Sequence, residues 1–569
     1  MYLLKHRTER EDIVATHNEL VSVFEERAEN LSETELRSWT VLTDTEKQIV
    51  RKLTAPGAKL ISGPRGSGKS TLFKIAFFEL QESKAALPVY VNFSKALALE
   101  PLFHAHANAT AWFRQWVLAK ILIGLQQTCA KWEVDLAPAV ETTIEGARAF
   151  IFELEAGKIP TSSPDLAPSK VADLIRSAAA KCDVIRSVLL LDDAAHAFSV
   201  KQQREFFEVF AELRSREISA KAAIYPGVTS FSPSFQVGHE AEEIEAWIRV
   251  DGSGYLNSMR KMADVRFPDL KAQLGENYLD SIDVLALASF GLPRGFVNMI
   301  SEVKDSVGLG EPVRKAVLDA IASNSDSVGT QFENIADKLP RFKNYIKVGS
   351  RLEDKGRVAL RSFNNQKPLS AKTSTLALGQ PWPTEFDRVL RFMEYAGLLR
   401  KTEGLSKGVK GSYQRYVVHY SRMIATNSLF LGKNYKLGAV VDALKKPLAH
   451  ALVKTKPDTL LGANYSHGCT LALPPCPNCA TSRVTEDQKF CMNCGQELRS
   501  ASIYLELLKA PVEKLPIPPR KVAALKAAGF LSVGQVLSDE NQKFRRPGSS
   551  IGPVWAKRIL TVAEEFASV

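Results

Sequence analysis

Long hydrophobic runs are missing from this 569-residue chain, and no stretch approaches the ~18 consecutive apolar residues that a membrane-spanning helix needs. The opening residues MYLLKHRTEREDIVATHNEL meet charge too soon to hold the apolar centre of a secretory signal. Cysteine is scarce. Four of the seven sit in two CxxC pairs, which speaks against a disulfide scaffold and for metal binding in a reducing compartment. No internal repeat of solenoid length is present. A cytoplasmic protein with no membrane partner is the expectation. Its 45% hydrophobic and 24% charged residues are those of a folded chain, and its length suggests about three to five domains.

Charge of one sign is concentrated. Residues 341–450 hold 21 Lys and Arg against 7 Asp and Glu, a net of +14, while the whole chain carries +11. The remainder is therefore slightly acidic, and one middle segment supplies the entire excess. Such clustering is the footprint expected for a polyanionic partner, above all nucleic acid. A solvated basic face is the alternative, although solubilising surfaces usually mix both signs.

Short apolar runs at 59–62, 88–93, 187–191 and 222–225 read as strands, with helical patterns between them. That alternation predicts an α/β unit built on a parallel sheet. The Pro/Ser-rich stretch 157–170 reads as a surface loop, residues 1–44 as a helical extension, and 277–324 as mainly helical.

The first strand runs into Gly63, Pro64, Arg65, Gly66, Ser67, Gly68, Lys69, Ser70 and Thr71 and then into a helix, matching GxxxxGK[ST] in the strand–loop–helix setting it requires. Glycines let backbone N–H groups curve around phosphates, and the helix start adds its partial positive charge. Lys69 would reach the outer phosphates of ATP, and the Ser70 hydroxyl would bind Mg²⁺. The third strand is wholly apolar and ends in Asp192 and Asp193. Asp192 would hold Mg²⁺, and Asp193 would orient or deprotonate the attacking water. Aspartate here is shorter than the glutamate many such ATPases carry, so slow hydrolysis is expected.

On these motifs the chain resembles the AAA+ ATPases, particularly their origin-recognition and replication-initiator-like branch, over about residues 45–425. The resemblance implies a P-loop core at 45–270 and a helical lid at 271–340. It also implies a γ-phosphate sensor at Thr229 or Ser230 and a lid arginine at Arg294, within the run Ser289, Phe290, Gly291, Leu292, Pro293, Arg294. That run is also similar to the related STAND signalling ATPases. No arginine finger is identifiable beyond Arg214 and Arg216 as guesses. A winged-helix-like domain at 341–450 is implied next, with a helix at about 384–399 and a Gly/Lys-rich hairpin carrying Arg400, Lys401, Lys407, Lys410 and Arg415. Such a wing would lie along a DNA backbone and release counterions, with little sequence preference. A protein-docking wing is the alternative.

Cys476, Cys479, Cys491 and Cys494 form a CxxC…CxxC pattern of zinc-ribbon type within 470–500. Four thiolates suit a closed tetrahedral Zn²⁺ site with a structural role, iron or a redox dithiol being the alternatives. His467 and Cys469 are read as bystanders. The tail, 505–569, resembles helix-hairpin-helix domains, including the C-terminal domain of the RNA polymerase α subunit. That resemblance implies phosphate contacts from Ile551, Gly552, Pro553, Lys557 and Arg558, with protein docking as the other use. Together these features describe a DNA-binding AAA+-like ATPase, with a STAND-like switch exchanging protein partners, or a slowly hydrolysing scaffold, as rivals. Self-assembly stays open.

Overall fold

The computed structural model describes residues 28, 31–94, 99–193, 200–406, 411–445, 452–484, 488–498, 502–539, 543–545 and 551–568. Most of the expected 1–44 extension therefore lies outside the described residues. The helices Glu33–Trp39 and Asp44–Thr54 each open on a capping box, from Ser32 with Glu35 and from Thr43 with Glu46, which satisfies N–H groups no helix can bond internally.

The chain is α/β. Five parallel strands, β1 (Lys59–Ser62), β2 (Leu87–Asn92), β3 (Ser187–Asp192), β4 (Ile218–Ile224) and β5 (Glu242–Glu245), lie in the order β2-β3-β4-β1-β5. Alternation along β3 explains its unbroken apolar run. Val188 and Leu190 share a core with Leu72 and Phe73 of the Lys69–Ser83 helix on one face of the sheet. Leu189 and Leu191 share another with Trp116 and Phe206 on the opposite face. A strand covered on both faces needs apolar side chains at every position.

Two strand readings change. β4 begins at Ile218 and not near residue 222, because Lys221, which reads as a surface residue, is fully buried. Its ammonium donates to Ala55 O at 2.7 Å and also to Gly57 O, anchoring the turn after the Asp44–Thr54 helix. β5 (EEIE) escaped notice because it is an edge strand with a single buried side chain, Ile244. Acidic edges of this kind discourage pairing with other chains.

Beyond the sheet, helices Tyr255–Arg266, Tyr278–Ala288, Pro293–Gly308 and Val313–Lys338 form a mainly helical layer. Gly291 makes its close approach possible: φ is +78° and an added Cβ would lie 2.1 Å from Ile248 O. A second sheet follows, with β6 (Thr375–Gly379), β9 (Ser412–Val418) and β7 (Leu399–Lys401) antiparallel, and β8 (Leu405–Ser406) beside β9. β10 (Val453–Thr455) joins β6 in parallel, so the basic unit takes in residues past the expected limit at 450. One hydrophobic core runs from Tyr225 through the helical layer and the second sheet to Phe566. The tail is therefore packed onto the rest of the chain and does not hang from it as a separate module.

Candidate functional site

At the carboxyl end of the parallel sheet a cavity of about 540 Å³ is lined by Arg65 to Thr71, Asp193, Tyr225, Arg294 and, from the tail, Glu564, Glu565 and Ser568. That size is in the range of small-molecule sites. Open α/β sheets bind ligands at this end because the loops there splay apart. Gly68 caps the Lys69–Ser83 helix in the left-handed conformation, with φ at +88°. It provides no side-chain cap, and a Cβ placed there would meet no atom within 4 Å. The first-turn residues Lys69, Ser70 and Thr71 line the cavity, and N–H groups of a first turn have no intrahelical acceptors. The Ser67 hydroxyl is buried in the same loop without a hydrogen-bond partner. A buried orphan of that kind suits a site built for a polar ligand.

Lys69 is buried and curls back on its own loop, its Nζ donating to Gly63 O at 2.8 Å and Pro64 O at 3.0 Å and lying 4.0 Å from the centre of the Tyr225 ring. Burial holds its pKa down to about 7, against the pull of Asp193 and Asp192. Bound anion would restore the ammonium.

Asp192 is fully buried at the end of β3. Burial first, then the Asp193 charge, pushes its pKa up, and hydrogen bonds from Ser70 and from Tyr90 Oη (3.0 Å) oppose the rise. The pairing of Ser70 with Asp192 brings together the two residues expected to share Mg²⁺, and their oxygens suit a hard cation. Asp193 has φ at +52°, a strained setting for a residue with a side chain, and its Oδ1 accepts the Tyr225 hydroxyl at 3.0 Å. Tyr90 and Tyr225 were not singled out from sequence. Both stand at or near the carboxyl ends of strands flanking the acidic pair, and that position was the available signal.

Several expected site residues lie elsewhere. Thr229 Oγ1 accepts the Tyr225 N–H at 2.9 Å and closes a turn, and it is Tyr225 that lines the cavity. The Ser230 N–H is likewise engaged, by Gln203. Arg294 does line the cavity, but its guanidinium is ion-paired with Glu565 of the tail. Arg214 pairs with Glu240, whereas Arg216 is exposed.

The basic hairpin needs a larger correction. Arg400 is buried, donating to Ile248 O and Trp247 O at 2.6 Å each, so it ties the second sheet to the chain leaving β5. Arg415 is buried too and donates to Glu403 O at 2.6 Å. Neither is placed to touch DNA. Lys401 is exposed, and Lys407 and Lys410 lie outside the described residues. In the tail, Gly552 is exposed at the head of the Pro553–Phe566 helix and Lys557 is half-buried. Arg558 stacks 4.6 Å over Trp555 and pairs with Glu302 at 3.3 Å, which removes it from the expected phosphate contacts.

The four CxxC cysteines meet. Their Sγ atoms all lie within 4.8 Å of one another, with Cys476–Cys494 and Cys479–Cys491 at 3.5 Å. Tetrahedral Zn–S bonds of ~2.3 Å imply sulfur separations of about 3.8 Å, so the cluster fits the metal. Each knuckle turns through a positive-φ residue just after its second cysteine, Ala480 at +57° and Gly495 at +70°. Hydrogen bonds from Thr481 lower the Cys479 thiol to about 6, a setting suited to thiolate ligation. Cys469 instead points to Tyr465 O, and neither it nor His467 belongs to the cluster. Among the described residues no helix is long and apolar enough to cross a membrane. No protein-family model matches the sequence, and no curated protein matches it at a significant level.

Proposed function

We propose that this chain is an ATPase of AAA+ type that binds ATP with Mg²⁺ and uses the nucleotide to set how its basic segment engages duplex DNA. One observation carries the reading. Arg65 to Gly68 of the glycine loop, the helix start at Lys69 and Asp193 line a single cavity with the orphaned Ser67 hydroxyl in its wall, and Asp192 is buried next to Asp193 in hydrogen-bond contact with Ser70. Backbone N–H groups at the helix start and the Lys69 ammonium would hold the phosphates. Ser70 and Asp192 would hold Mg²⁺, which supplies neutralising charge on the phosphate oxygens. Asp193, steadied by Tyr225, would take a proton from the attacking water, its short side chain favouring slow turnover. Trp39, Val41, Met262 and Val297 line the cavity as well and offer apolar surface for the base.

DNA engagement falls to exposed cations of the basic unit other than Arg400 and Arg415. Lys347, Lys355 and Arg361 on the Lys343–Asn365 helix, with Lys401, are exposed. The Cys₄ cluster serves as a zinc staple for a segment with almost no core of its own.

A second reading, a nucleotide switch of STAND type, is favoured by how tightly the basic unit closes on the site. Tyr395 packs edge-on against Tyr225 at 5.5 Å, and Arg391 abuts Gly227 just beyond β4. An ATPase assay on the whole chain, with and without duplex DNA and across salt, separates the two. Turnover that is raised by DNA, lost with salt and absent in Lys69→Ala supports the first. Turnover indifferent to DNA supports the switch. Failure of the chain to retain ATP in magnesium buffer overturns both.

A further inference from the structure

The tail does more than rest on the helical layer. It enters at Ser502, whose hydroxyl and the next N–H, from Ile503, donate to the buried Glu100 carboxylate at 2.5 and 3.1 Å. Asn334 and Asp337 then hold Lys514, by its carbonyl at 3.0 Å and its ammonium at 2.8 Å. The last turn of the Pro553–Phe566 helix finally reaches the cavity wall. Arg65, from the loop itself, donates to Glu565 O at 3.0 Å and Ser568 Oγ at 2.7 Å. Lys338, buried at the end of the Val313–Lys338 helix, donates to Glu565 O at 2.8 Å. Arg294 pairs with the Glu565 carboxylate. Three cations from three separate elements thus converge on one carboxylate and on a helix carboxyl end, which carries negative partial charge of its own.

We propose that Glu565 and the end of its helix are an internal anion that occupies this cationic seat and competes for Arg65 and Arg294 with the terminal phosphate of a nucleoside triphosphate. The inference rests on the phosphate reading of the cavity and adds a regulator to it. Arg65 and Arg294 line the same cavity as Lys69, so a polyphosphate entering there meets Glu565 at close range. Asp193 lines the same cavity and Asp192 is buried beside it, so a triphosphate entering while Glu565 is seated adds negative charge among carboxylates, and like charges repel more strongly where burial limits screening. Triphosphate binding and tail docking are therefore mutually unfavourable. By reciprocity, a partner that draws the tail away tightens nucleotide binding by the same factor.

The test uses the full chain as wild type, Glu565→Gln and Lys69→Ala. Affinity for a fluorescent ATP analogue is titrated, and hydrogen exchange in the Pro553–Phe566 helix is followed with and without ATP. Glu565→Gln is expected to bind about tenfold tighter than wild type, in the ordinary range of intramolecular couplings. ATP is expected to speed exchange in the helix's last turn of wild type by a similar factor. Equal affinities of wild type and Glu565→Gln, or a helix whose exchange ATP leaves unchanged, overturn the plug while leaving the nucleotide site standing. Absence of binding by both, in proteins that retain their zinc and their melting transition, sinks the phosphate reading itself.

Discussion

Replacing Arg400 by alanine removes a guanidinium that donates to two buried carbonyls, Ile248 O and Trp247 O, at 2.6 Å each. It also removes a cation 5.0 Å from the Trp247 ring and an ion pair to Glu245 at 3.2 Å. Each orphaned carbonyl costs about 1–3 kcal/mol and the lost stacking about 1 kcal/mol. The ion pair adds little, because Glu245 is largely exposed. A total loss of about 3–7 kcal/mol follows, at the joint between the two sheets. Lysine at this position reaches one carbonyl at best and is expected to recover about half of that. Urea unfolding of wild type, Arg400→Ala and Arg400→Lys, followed by tryptophan fluorescence and by circular dichroism, measures it, provided the two probes give coincident transitions. DNA affinity of the folded variant should match wild type. A stability change below about 1 kcal/mol, or a lowered DNA affinity at full stability, refutes the assignment and returns Arg400 to the phosphate-contacting set.

His419 and the cysteine cluster give two further expectations. His419 is fully buried at the head of the Tyr420–Ala425 helix, its Nδ1 meeting the Ser421 hydroxyl at 2.8 Å, and burial together with Arg422 holds its pKa down to about 3. The unfolded chain takes up that proton near pH 6.5, so stability is complete above that pH and falls as pH drops toward 3. The loss amounts to about 2 kcal/mol between pH 6.5 and 5, and His419→Asn should flatten it in pH-resolved unfolding curves. An unchanged pH profile would count against the buried neutral imidazole. Elemental analysis should find one zinc per chain and none in Cys491→Ser. The main melting transition should stay within about 2 °C, because the cluster's small core stands apart from the others. Iron in the wild type, or global unfolding of the variant, would contradict a local zinc staple.

Local chemistry written in consecutive residues was legible without coordinates. The glycine loop, the apolar strand ending in two aspartates and the CxxC pairs each encode a backbone shape or a ligand set within a few positions. Their predicted elements, β1 at Lys59–Ser62 and β3 at Ser187–Asp192, lie where the alternation put them. Sequence failed where a residue's role depends on a distant partner. Lys221 looks like a surface lysine until Ala55 and Gly57 present carbonyls to it. Arg400 and Arg415 counted toward a basic wing, yet their partners are carbonyls inside the fold, and net charge cannot tell a spent cation from an exposed one. Glu565 is the extreme case, meeting Arg65 across 500 positions. The sequence by itself determined the glycine loop ahead of a helix, the apolar strand ending in two aspartates and the paired cysteines, because those depend on spacing along the chain. Only the tertiary structure decided which cations face solvent and which face the tail, because electrostatic partnership is set by distance in space.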